Sequence, residues 1–145
     1  MDRAVLIIIV ASFVWAGFMS AISFMESWLK FKTPGLEVPL GLSIGRLIFK
    51  GLNRVEWAFC LIIWLSSFLL GFGRMPMSLT GIYLLLTAFL FLQAFWLLPA
   101  MSKRVEARMK GETLPPSSLH FWYVGMEMIK AITLIFAGFY LMRML

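Results

Sequence analysis

Four apolar runs, each close to the roughly 20 residues that carry a helix across the hydrocarbon layer of a bilayer, set the limits on what this chain can become. They extend over about 4–29, 55–72, 79–100 and 120–142. Membrane strands need only about 9–11 residues and alternate between polar and apolar. These runs are about twice that long and show no alternation, which excludes a barrel. The expected fold is therefore all-α: a polytopic membrane protein, a four-transmembrane-helix bundle forming one domain over residues 1–145. Only 14% of residues are charged, against about a quarter in ordinary soluble domains, so nothing remains for a soluble appendage. The first run is too long for a signal-peptide core and lacks a small-x-small cleavage site, and it reads as an uncleaved helix.

Local signals punctuate the runs. Thr33, Pro34, Gly35 and Pro39 break the chain after the first. Between that loop and the second run, Leu40 to Arg54 reads as a separate amphipathic segment lying in the membrane interface. Its Arg46, Lys50 and Arg54 are four apart and form one stripe for lipid headgroup contacts, while Leu42, Leu47, Ile48 and Phe49 enter the acyl region. Gly73 to Met77 makes a tight turn, Pro99 closes the third helix, and Pro115, Pro116, Ser117 and Ser118 lead into the fourth.

The formal net charge is +6, and the basic residues are gathered in loops. Lys30, Lys32, Arg46, Lys50, Arg54, Lys103, Arg104, Arg108 and Lys110 follow helices one and three, whereas the other side has Arg3, Arg74 and Arg143. By the positive-inside tendency the two long loops are expected in the cytoplasm and both termini outside, across the inner membrane of a bacterial source. Trp28, Trp57, Trp96 and Trp122 fit an aromatic belt at the cytoplasmic boundary. Such a charge pattern suits membrane lipids as partners and gives no nucleic-acid role. The single Cys60 permits neither an intrachain disulfide nor a multi-cysteine metal cluster.

Ionisable groups inside a span cost about 2.5–3.5 kcal/mol each on insertion scales, so those that persist face a bundle interior or a partner. Glu26 ends helix one, Glu56 begins helix two, Gln93 lies late in helix three, and His120 and Glu127 open helix four, all toward the cytoplasmic half. On helix four, His120, Tyr123, Glu127 and Lys130 are spaced three, four and three apart, drawing one polar stripe that must face inward. Glu127 is the nearest counter-ion for Lys130. Three uses of this set stay open: it fixes bundle packing through an ion pair and a Gln93 cross-link; Glu26, Glu56, His120 and Glu127 converge on a proton or metal ion; or a polar pocket walled by Trp57, Trp96, Trp122 and Tyr123 takes a lipid, quinone or other amphipath. Seven residues separate His120 from Glu127 by about 10.5 Å of helix rise, awkward for one ion.

Phosphate-binding glycine loops, zinc-protease motifs and nucleophile elbows are absent from the sequence, so no catalytic residue is assigned. The order of elements carries a resemblance: a first helix ending in Ser23, Phe24, Met25 and Glu26, a loop with Gly45, Arg46, Leu47, Ile48 and Phe49, and a last helix opening at Leu119 and His120. In these the chain resembles a small four-helix membrane family of unknown function distantly related to copper-resistance CopD membrane domains. That resemblance implies a four-helix bundle with no established catalysis and a link to metal or small-molecule handling, although one histidine is few for copper. Through Lys30, Phe31 and Lys32, and Val55, Glu56 and Trp57, the first half is also similar to DoxX-like proteins, which implies an accessory role beside a membrane oxidoreductase. The expected function is to bind or move a small ligand or cation through a polar intrabundle pocket on the cytoplasmic side, with cofactor unknown. The alternative is a non-catalytic subunit or assembly factor, as a homo-oligomer or in a membrane complex.

Overall fold

The computed structural model describes residues 2–71 and 73–144, and the elements it forms are all helical, with no strand among the described residues. Four helices are long and apolar enough to cross a membrane: α1 (Arg3–Lys32), α2 (Val38–Leu70), α3 (Met77–Met109) and α4 (Leu119–Met142). The expected end of the second run at Phe72 lies outside the described residues. Asp2 caps α1 by accepting from the Ala4 N–H at 3.0 Å.

Two boundaries differ from the sequence expectation. Leu40 to Arg54 is not a separate segment but the first half of α2, which runs unbroken for 33 residues. The reason lies in its buried face: Gly41, Gly45, Phe49, Leu52, Glu56, Cys60 and Ile63 are spaced three or four apart, so a single stripe passes through both halves without a change of register. Nor does Pro99 close the third helix. The preceding turn, Gln93–Leu97, is a widened π-turn. It accommodates a ring that would otherwise clash with the carbonyl four residues back, and the helix continues to Met109. What ends it is Gly111, at φ +84°. There the Gly111 N–H reaches the Arg108 carbonyl at 3.0 Å and the Glu112 N–H reaches the Ala107 carbonyl at 3.1 Å, the double closure that a left-handed glycine allows.

Helices α2 and α3 are each about 50 Å long, roughly 20 Å more than a hydrocarbon layer requires. Their surplus lengths pack together at the end that carries the basic loops. Helix α1 packs chiefly against α4 and α2. Gly138 allows its close approach to α4, since the Phe13 ring occupies the space a Cβ there would need. Ile8, Met19, Leu52, Ile63, Leu86, Leu90 and Leu134 fill the centre. The outer faces carry Leu61, Leu65, Leu69, Phe136 and Phe139, all exposed, while the charged side chains Glu56, Glu127 and Lys130 lie fully buried within.

Candidate functional site

Lys130 projects from the middle of α4 into a set of groups drawn from all four helices. Its Nζ lies 2.6 Å from Glu127 Oε1, one turn earlier, and 2.5 Å from Glu56 Oε1 on α2. The same nitrogen donates to Gln93 Oε1 on α3 at 2.8 Å. Gln93 Nε2 in turn donates to Glu127 Oε1 at 2.7 Å. From α1, Ser23 Oγ donates to Glu127 Oε2 at 2.9 Å and Trp15 Nε1 donates to Glu56 Oε1 at 3.0 Å. Glu56, Gln93, Glu127 and Lys130 are each 0% exposed.

Backbone irregularity aims two of these groups. Ser23 sits in the π-turn Ala21–Glu26 and Gln93 opens the π-turn Gln93–Leu97. A widened turn offsets the helical register locally and is found often at functional positions. Here both widened turns present their polar side chain to the same carboxylate, Glu127. Two carboxylates and one ammonium leave a formal charge of −1 when all three are ionised. Every Nζ hydrogen of Lys130 has an acceptor, whereas Glu56 Oε2 and the Tyr123 hydroxyl are buried without a hydrogen-bond partner among the described residues.

Several residues singled out from the sequence meet here. Glu127 pairs with Lys130 as the spacing predicts, and Gln93 cross-links them to α3. Tyr123 is buried beside the set with its ring 4.9 Å from that of Phe49. Glu26 and His120 do not join. Glu26 lies 3.5 Å from Lys30 near the basic end, and His120 is exposed with its ring 6.5 Å from Phe49. The four groups proposed to converge on an ion are thus divided, and the ammonium of Lys130 stands between the two that meet. Among the described residues, no three His, Cys, Asp or Glu side chains are placed to hold a metal. Of the four expected aromatic walls only Tyr123 lies beside the set: Trp96 and Trp122 are half exposed, and Trp57 packs on Phe91 at 4.8 Å. Of the expected headgroup contacts, Arg46 binds Glu106 at 2.7 Å, while Lys50 and Arg54 are exposed.

Trp15 and Ser23 escaped the sequence reading. A signal was present: Trp15, Met19 and Ser23 follow one another at intervals of four and share the buried face of α1. His120 instead lines an open cavity of about 280 Å³ at the basic end, together with Lys30, Arg46, Phe49 and Met101. Phe49, packed on Tyr123, divides that cavity from the buried set. No protein-family model, no curated protein and no solved structure matches the chain.

Proposed function

We propose that this chain is an integral membrane protein whose Glu56–Lys130–Glu127 site binds one small cation, in the simplest case a proton, within the cytoplasmic half of the bilayer. The observation that carries the reading is the charge imbalance of a sealed site: two carboxylates share one lysine in a bundle whose exterior is apolar. An uncompensated charge at such depth is costly, and one proton on the partnerless Glu56 Oε2 neutralises the set. Four apolar helices support insertion. The basic loops support a cytoplasmic location for the α1–α2 and α3–α4 connections, with both termini outside. Roughly 18–24 Å of helix separates Trp15, Glu56, Gln93 and Lys130 from the helix ends opposite those loops. In a layer about 30 Å thick this favours exchange with the cytoplasmic side, past Phe49 and Tyr123.

Infrared spectroscopy of the protein in lipid vesicles, with pH stepped, tests this reading. A protonated-carboxyl band that disappears as pH rises, is lost in Glu56→Gln and persists in Glu26→Gln is the expected result. A wild-type protein whose carboxyl band is gone by about pH 6, as ordinary exposed carboxyls would give, or whose band is indifferent to Glu56→Gln, would overturn it. A second reading, a non-catalytic subunit of a membrane complex, is favoured by the complete use of the lysine's donors, which suits a fixed tie between helices. Native mass spectrometry from the source membrane would then find a stoichiometric foreign polypeptide.

A further inference from the structure

Between α2 and α3, at the basic end, lies a cleft of about 290 Å³ that is separate from both the buried site and the His120 cavity. Lys50, Asn53 and Arg54 line it from α2, and Leu98, Pro99 and Ser102 from α3. Asn53 and Ser102 are only 6% and 7% exposed. Yet Asn53 Nδ2 and Ser102 Oγ have no hydrogen-bond partner among the described residues. Buried donors ordinarily find an acceptor, and two that line one cleft call for an acceptor that enters it. Among the described residues, no acidic side chain lines the cleft. Among the described residues neither Lys50 nor Arg54 is engaged in an ion pair. Four donors, two of them cationic, fit the oxygens of a phosphate group.

We infer that this cleft binds the phosphate of an anionic phospholipid, with Asn53 Nδ2 and Ser102 Oγ donating to its oxygens and Lys50 and Arg54 balancing its charge. The inference rests on the membrane-spanning reading above. Depth selects a lipid over free phosphate. Counted from the far helix ends Leu70 and Met77, Asn53 lies about 26 Å and Ser102 about 38 Å along the helices, which brackets the edge of a hydrocarbon layer about 30 Å thick. Leu98 and Pro99 supply an apolar floor for the glycerol and the start of the acyl chains.

Native mass spectrometry of the protein in mild detergent tests the site, with dioleoyl phosphatidylglycerol, dioleoyl phosphatidylcholine and inorganic phosphate supplied in turn. The expected result is a single phosphatidylglycerol adduct at about tenfold lower concentration than for phosphatidylcholine. Ser102→Ala should weaken it several-fold, the Lys50→Gln/Arg54→Gln pair should abolish the preference, and Arg46→Gln should leave it unchanged. Equal binding of the two lipids, or adducts indifferent to Ser102→Ala and to the charge pair, would overturn the inference. Displacement of the lipid by equimolar inorganic phosphate would overturn the choice of lipid. Flotation of the protein with vesicles keeps these failures apart from failure of the membrane reading, because a chain that does not float refutes both.

Discussion

At the centre of the bundle Lys130 has three acceptors within 2.8 Å and no exposure, whereas at the basic end Arg46 shares one contact with a Glu106 side chain that is 60% exposed. Both regions draw on the same residue types, and the difference between them is access to water. Where water is excluded, each charge must find its partners inside the protein, so Ser23, Gln93 and Trp15 are recruited from other helices to finish the set. Where water reaches, a charge is satisfied without them, and Lys50, Arg54 and His120 are left exposed. The first region links side chains from all four helices; the second keeps its charges exposed.

Substitutions can break this contrast or sharpen it. Lys130→Met should have the largest effect, because it leaves two buried carboxylates facing one another without a cation. A loss of about 3–5 kcal/mol is expected for breaking a buried pair, read by denaturant unfolding in detergent, and a loss below about 1 kcal/mol would erase the distinction. Glu127→Gln should cost less, about 1.5–3 kcal/mol for weakened hydrogen bonds to a charged group, since Lys130 keeps Glu56. A loss equal to that of Lys130→Met would mean that Glu127 alone retains the lysine. Smallest of all, Arg46→Gln should cost about 0.2–1 kcal/mol, as surface pairs do, and the cost should shrink further in high salt. A large, salt-independent loss would mean that the basic end is packed like the centre.

How much of this could be read in advance varies with the physics involved. The start of α1 and the whole of α4 follow from apolar run length, which is a property of the chain alone. The Glu127–Lys130 pair was legible because three residues on a helix place two side chains on one face. Glu56 was legible as a buried-charge candidate, but its partner was not, since 74 residues separate it from Lys130. At Val55 the change from amphipathic to apolar composition reads as a boundary. The continuous three-and-four spacing of the buried face of α2 outweighs that change. Pro99 reads as a stop in the same way: proline halts a regular helix, but the π-turn before it removes the clash, and the αL glycine at Gly111 is the stronger stop signal.

Taken alone, the sequence determined the number of apolar helices, the charge asymmetry between their two ends and the inward placement of Tyr123, Glu127 and Lys130 on α4, because all of these depend on composition and on spacing within one helix. Only the tertiary structure decided that Glu56 and Glu127 share one lysine while Glu26 and His120 stand apart, and that Asn53 and Ser102 face a common cleft. Those outcomes depend on helix rotation, on two widened turns and on the approach that Gly138 permits. Each of these is set by contacts between residues remote in the chain, where helical periodicity carries no information.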